Sequence, residues 1–214
     1  MKQPLNLIIL GPQGSGKGTQ AALLASKFEA VFLGAGDLLR GIAKIDTSLG
    51  REVHQVINVE GKHTSAQLIS RIFREKLKKV PQNRGVIMEG YPRNLEQYEI
   101  FKNFWPKLER ADYRVLFIEL SEAEAIKRLS KRVVCENCGR IYIAGALDKC
   151  SYCGGKLVAR PDDHPKAIKT RLELFDALTM PVIAEMEKEG KVIRIDGTPA
   201  VEKVHKQILQ KLDL

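Results

Sequence analysis

Nine consecutive residues, Gly11-Pro12-Gln13-Gly14-Ser15-Gly16-Lys17-Gly18-Thr19, combine the residue types needed to hold a chain of phosphates. Glycines let successive backbone N–H groups converge on one point, and Lys17 adds a mobile cation. A helix starting there would present the positive end of its dipole. The apolar run Leu7–Leu10 before the loop and the helix-like stretch Thr19–Phe28 after it supply the strand and helix that this geometry requires. The expected ligand is a nucleoside triphosphate, contacted by Gly14, Ser15, Gly16, Lys17, Gly18 and Thr19. Gly18 directly follows Lys17, so the hydroxyl usual beside the lysine is displaced to Thr19.

A second constellation is made of thiols. Cys135-x2-Cys138 and Cys150-x2-Cys153 are two knuckles, each followed by a glycine, Gly139 or Gly154, that lets the backbone turn tightly under a thiolate pair. Four thiolates in this arrangement suit a tetrahedral Zn²⁺ and leave no position for water or substrate, so the expected site is structural. Two disulfides and an iron–sulfur cluster are the alternatives, and a reducing cytoplasm disfavours the first. Eleven residues separate the pairs, fewer than in the commonest zinc ribbons. A ribbon of this kind could also bind nucleic acid, so the cysteines alone leave function open.

The elements that must position these groups can be read from hydrophobic periodicity. Leu5–Leu10, Val31–Leu33, Gly85–Glu89, Arg114–Leu120 and Val192–Ile195 read as buried strands. Helix-period segments run over Ser65–Lys79, Leu95–Leu108, Ser121–Lys131, Pro165–Glu189 and Val201–Leu212. This alternation predicts an α/β fold, with a parallel five-stranded sheet covered by helices on both faces. Ligands of such sheets collect at the carboxyl ends of the strands, where Gly11, Gly34, Gly90 and Ser121 begin. Ser121, followed by Glu122 and Glu124, reads as a helix N-cap with an acidic first turn. Ala35–Thr64 and Arg132–Asp163 break the alternation and read as insertions above that edge. Trp105, beside Phe101 and Phe104, reads as packing. His54, His63, His164 and His205 show no nucleophile or metal pattern.

Composition narrows the ligand class. The 214 residues suit one domain of ordinary size with inserted subdomains. Thirty-five Lys and Arg against 26 Asp and Glu give a net charge of +9, a field that draws in anions. The basic residues are spread along the chain and not gathered in one arm, which favours small phosphorylated ligands over nucleic acid. No apolar run approaches the ~20 residues of a membrane span. Met1-Lys2-Gln3-Pro4 leads straight into a strand, so a cytoplasmic address is expected.

Further motifs follow in order: Gly36-Asp37-Leu38-Leu39-Arg40, Gly61-Lys62, Glu89-Gly90-Tyr91-Pro92-Arg93, Gln97, Arg128-Leu129-x2-Arg132 and Arg160-Pro161-Asp162-Asp163. With the phosphate loop, this series resembles the adenylate kinases, nucleoside monophosphate kinases, in the form whose long lid carries a zinc-binding cysteine cluster. The resemblance covers essentially the whole chain. It implies a P-loop core of residues 1–34, 65–130 and 164–214, an NMP-binding insertion at 35–64 and a zinc-binding lid at 131–163. It also implies a monomer that transfers a phosphoryl group reversibly from ATP to AMP, giving two ADP, with Mg²⁺ on the nucleotide. As catalytic residues it marks Lys17, Arg93, Arg132, Arg160 and Arg171. For ATP it adds Arg128, Ile141, Tyr142 and Pro199 to Arg132 and the phosphate loop. For AMP it marks Ala35, Arg40, Lys62, His63, Thr64, Gly90, Tyr91, Pro92, Arg93, Gln97, Arg160 and Arg171. Asp162 and Asp163 would hold the lid and its arginines. Planar guanidinium forks suit phosphoryl oxygens, and phosphoryl transfer depends mainly on positioning and charge.

Several positions depart from that family's pattern. Ala35 stands where a small hydroxyl residue, usually Thr, is expected, and Asn94 follows Pro92-Arg93; both resemble the UMP/CMP kinases. Gln97 points to AMP, because its amide both donates and accepts and so matches an adenine edge. Glu89 replaces an Asp expected to organise water around Mg²⁺, and Lys131 and Val133 replace the usual Gly and second Arg around Arg132. A UMP/CMP or other nucleoside monophosphate kinase, or a nucleotide- or nucleic-acid-binding module on the same fold with weak catalysis, are the alternatives.

Overall fold

A computed structural model of the chain describes residues 4–55, 64–160 and 163–214. Lys62 and His63, like Gly61, Pro161 and Asp162, lie outside the described residues.

The chain begins with strand β1 (Asn6–Leu10), helix α1 (Lys17–Lys27), β2 (Val31–Gly34), α2 (Ala35–Ala43) and α3 (Ser48–His54). It continues through α4 (Ala66–Lys78), β3 (Val86–Glu89), α5 (Leu95–Phe104), β4 (Arg114–Glu119) and α6 (Glu122–Leu129). Three short strands follow, β5 (Arg132–Cys135), β6 (Ile141–Ile143) and β7 (Leu157–Ala159). The last elements are α7 (Pro165–Leu174), α8 (Met180–Lys188), β8 (Val192–Asp196) and α9 (Val201–Lys211).

Five strands form a parallel sheet in the order β2-β3-β1-β4-β8. All five residues of β1 are buried, as expected of the central strand of a sheet covered on both sides. Alternate residues face opposite ways. Leu7 and Ile9 pack with Ala21 and Leu24 of α1 and Val204 and Ile208 of α9. Ile8 and Leu10 join the larger core under α4, α5 and α8, where Phe101 meets the rings of Tyr91, Phe104, Trp105 and Tyr113. The packing role expected of Trp105 is thus met. Ile9 and Gly34 both pair with Glu89, so β1, β2 and β3 end level. β1 leads into α1 on the Leu7 and Ile9 face, whereas its neighbour β3 leads into α5 on the other. This divergence opens the crevice in which ligands of such sheets bind.

Several expected element boundaries shift for local reasons. The first helix starts at Lys17, two residues earlier than Thr19, because Gly16 adopts a left-handed φ of 84° and turns the chain directly into it. The helix expected over Leu95–Leu108 stops at Phe104, and Pro106–Leu108 continues as a 3₁₀ turn because proline cannot supply the next N–H. The segment Ser121–Lys131 is helical only over α6, and Lys131 precedes β5. Pro165–Glu189 is helical nearly throughout, but a π turn at Phe175–Thr179 joins α7 to α8. Ser121 does cap α6, accepting from the Glu124 amide at 3.3 Å.

Of the two irregular stretches, the described part of the first carries two helices: α2 and α3 pack on α4 through Val53, Leu68 and Ile72. The second forms an antiparallel sheet in the order β6-β5-β7.

Candidate functional site

The phosphate loop leaves β1 at Gly11 and enters α1 at Lys17. Gly14 and Gly16 have φ of 87° and 84°, and such turns aim successive N–H groups into one concavity. Among the described residues, the buried side-chain polar atoms without a hydrogen-bond partner are Gln13 Oε1 and Ser15 Oγ, both in this loop. Unpaired buried polar atoms are costly, and their concentration here marks a place completed by something polar. Lys17 Nζ lies 3.7 Å from Glu89 Oε1, with both side chains largely shielded. Burial pushes the Lys17 ammonium down to about 8; Glu89 works against this, while Arg93, Arg171 and Arg132 add to it.

The same electrostatic coupling shows how the arginines gather. Arg93 is lowered by burial and by the positive charges of Arg40 and Arg160, with Glu89 opposing. Lys17 with Arg132 and Arg171, and Arg93 with Arg40 and Arg160, all marked separately in the sequence, thus lie within electrostatic reach of one another and of Glu89 at the carboxyl edge of the sheet. Arg93 is held in detail. Its Nε donates to the Gly90 carbonyl at 2.6 Å, and its amide donates to Gln97 Oε1 at 2.7 Å. Gly90 turns with φ of 69°, a conformation that favours glycine, and a β-carbon there would lie 2.7 Å from the Arg93 guanidinium and displace it. Asn94 caps α5, accepting from the Gln97 amide at 2.8 Å, which gives this departure a local role. Tyr91 stacks on Phe73 with 4.3 Å between ring centres and donates to Ser70 Oγ at 2.8 Å. Its burial raises the phenol. Pro92 and Ala35 are buried beside these elements, Thr64 is half-buried, and Arg40 is exposed and paired with Asp37 at 2.6 Å.

At the other side of the loop, Arg128 reaches from α6 to the turn after β8. It donates to the Gly197 and Thr198 carbonyls at 2.9 and 2.7 Å and pairs with Glu124 at 3.0 Å. This brings half-buried Pro199 and the Gly14 carbonyl, 3.5 Å from the Arg128 guanidinium, to one place. Asp163 is nearly buried and gathers two arginines: it accepts from Arg132 at 2.5 and 2.6 Å and from Arg171 at 3.1 Å. Arg132 opens β5, so this carboxylate ties the three-stranded sheet to α7.

The four cysteine sulfurs lie within 4.8 Å of one another and could hold a metal ion. Cys135 to Cys153 is 3.4 Å and Cys138 to Cys150 is 3.6 Å, far longer than the ~2.05 Å of a disulfide. The thiols are free. Gly139 and Gly154 adopt φ of 72° and 71° as the knuckle turns require. Backbone N–H donation lowers Cys135, and the Tyr142 hydroxyl at 3.2 Å lowers Cys150, both favouring thiolate. Tyr142 is half-buried and Ile141, its neighbour on β6, is half exposed.

Three residues that shape this site were given no site role by the sequence. Glu124 orients Arg128, and its signal was present as an i, i+4 acid–base pair on a helix. Gln13 carries no signal beyond membership of the loop. Thr179 donates to the Arg93 carbonyl at 3.0 Å across 86 residues, and no local pattern announces it. Among the histidines, His164 caps α7 and His205 contacts Gln20 at 3.0 Å, both structural roles.

Comparison with known proteins agrees with this geometry. A family model described as adenylate kinase matches residues 9–191. The chain is 34% identical over 213 residues to a protein named adenylate kinase from Petrotoga mobilis, covering 97% of each. It is 35% identical over 204 residues to one of that name from Chlamydia pneumoniae, covering 95% of each. A third from Pyrococcus abyssi is 32% identical over 218 residues, covering 98% of this chain and 96% of its own. With a phosphate loop, a crevice of converging arginines and full-length similarity in agreement, the chain belongs to the adenylate kinase family.

Proposed function

We propose that the protein transfers the γ-phosphoryl group of MgATP reversibly to AMP, giving two ADP. The observation that carries this reading is that Lys17, Arg93, Arg132, Arg160 and Arg171 lie within electrostatic reach of one another at the carboxyl edge of the sheet, with Glu89 beside Lys17 and Asp163 holding Arg132 and Arg171. A transferring phosphoryl group spreads negative charge over its oxygens, and fixed cations stabilise that charge without reorganising. Lys17 and the loop amides hold the donor phosphates. Arg40 and Arg93 hold the acceptor phosphate, and Arg132, Arg160 and Arg171 close over the group in transit. Arg128, Pro199, Ile141 and Tyr142 border the donor base. Mg²⁺ enters with ATP and neutralises its phosphates; the Thr19 hydroxyl and Glu89 carboxylate offer the oxygen donors such a hard cation takes.

AMP is the acceptor because Gln97 is buried at its edge of the site with its amide orientation fixed. Oε1 accepts from the Arg93 amide, so Nε2 is left to donate to a ring nitrogen of the base, while the second lone pair of Oε1 stays open to an exocyclic amine. Residues 35–64 serve as the acceptor-binding insertion and 131–163 as the lid over the core. Lid closure would exclude water, which would otherwise compete for the phosphoryl group. In the lid, Cys135, Cys138, Cys150 and Cys153 hold one Zn²⁺: Zn–S bonds of about 2.3 Å put tetrahedral sulfurs about 3.8 Å apart, close to the spacing here. Four protein ligands make it a structural ion. The protein works as a cytoplasmic monomer. Among the described residues no helix is long and apolar enough to cross a membrane.

The test is a coupled assay for diphosphate formation from ATP with AMP, UMP, CMP or GMP, run on the parent and on Lys17→Ala. AMP should give the highest kcat/KM, and the variant should lose at least about a hundredfold in kcat with its thermal midpoint nearly kept. A higher kcat/KM for UMP or CMP would establish the pyrimidine-nucleotide alternative.

A further inference from the structure

Helices α7 and α8 and the π turn between them form one unbroken helical run from Pro165 to Lys188. Arg171 and Thr179 are eight positions apart in it. A regular α-helix turns about 100° per residue, so they would point about 80° apart. A π turn absorbs one extra residue and brings that angle back to about 20°. The π turn therefore places both side chains on one stripe. Arg171 meets Asp163 at 3.1 Å, and the Thr179 hydroxyl, buried at 5% exposure, donates to the Arg93 carbonyl at 3.0 Å.

On its other side Arg93 is held by Gln97, which accepts from its amide. Both backbone polar groups of Arg93 are thus fixed by side chains from two different helical runs, one of which also carries Arg171. We propose that Thr179 is a positioning residue: through the register set by the π turn, its hydroxyl fixes Arg93 at the spacing from Arg171 that lets Arg93 hold the acceptor phosphate while Arg171 reaches the group in transit. This inference rests on the acceptor-phosphate role given above to Arg93. A tie that merely braced α8 against the loop would affect stability, whereas a positioning tie acts on one substrate.

Thr179→Val keeps the shape of the side chain and leaves the Arg93 carbonyl without its donor; Thr179→Ser keeps the hydroxyl. AMP affinity of the parent and both variants would be measured by calorimetry without ATP, alongside KM for AMP and for ATP, kcat and the thermal midpoint. We expect Thr179→Val to weaken AMP by about tenfold in Kd and KM with KM for ATP unchanged, and Thr179→Ser to restore parental values. Unchanged AMP affinity in Thr179→Val, equal weakening of AMP and ATP, or a lowered midpoint alone would overturn the inference. A parent that binds AMP but forms no ADP overturns the catalytic reading, while the Val and Ser affinities still decide the role of Thr179. A parent that does not bind AMP overturns both.

Discussion

Lys17 has a titration consequence that belongs to it alone. Its ammonium is pushed down to about 8 from 10.5, chiefly by burial, so in the ligand-free protein near pH 8 about half the molecules lack this proton. The unfolded chain keeps the proton longer, so this lysine's contribution to stability rises as the pH climbs from about 8 toward 10.5. A bound polyphosphate favours the charged form. ATP binding at pH 8 should therefore take up about half a proton more in the parent than in Lys17→Met, read by calorimetry in buffers of different ionisation enthalpy. Equal uptake in both proteins would contradict the buried placement of this amine. Single residues were legible in the sequence when they belonged to contiguous motifs, as Lys17, Arg93, Arg128 and Arg132 do; the structure sets Lys17 within electrostatic reach of Arg93 and Arg132, and Arg128 against the turn after β8. Thr179 was not, because its partner Arg93 is 86 positions away and the π turn that aims it leaves no pattern in hydrophobic spacing. Lys62 and His63 lie outside the described residues, so their place in the site rests on the resemblance.

Among the elements, the small antiparallel sheet β6-β5-β7 has the least to hold it together. Its strands are three or four residues long, and Ile141, Ile143, Leu147 and Tyr152 stay exposed instead of forming a core. Metal binding should supply the missing folding free energy. Chelation, or Cys138→Ser, should lower the thermal midpoint and raise amide exchange mainly across residues 131–160, with little change around β1. Activity should fall only as far as Arg132 and Arg160 lose their place. Absence of stoichiometric zinc by elemental analysis, in protein purified without chelator, would count against the assignment. This element was legible through its cysteines and not through its strands, since the short apolar pieces that build it do not reach the length at which alternation becomes a signal. The five strands of the main sheet were legible within a residue or two, because each is a short, largely apolar run between turn residues, the central ones buried on both faces.

For the molecule as a whole, a net charge of +9 accompanies a crevice lined by arginines, so the long-range field and the local site have the same sign. The kcat/KM for ATP should fall by about tenfold between 0.01 and 1 M salt, as the screening length shrinks from about 30 to 3 Å. A flat profile would mean that only contact interactions guide the nucleotide in. The parallel architecture followed from strands alternating with helices, but the order β2-β3-β1-β4-β8 did not, since periodicity carries no information on which strand lies beside which. That order also governs the timing of assembly on the ribosome. β1, apolar on both faces, is synthesised first, yet both of its neighbours come much later, the second completed only at Glu119. More than half of the chain must emerge before the two edges of the founding strand are paired. For that interval the nascent protein carries an unpaired strand edge open to wrong partners, which makes the pace of translation through residues 80–119 a determinant of yield.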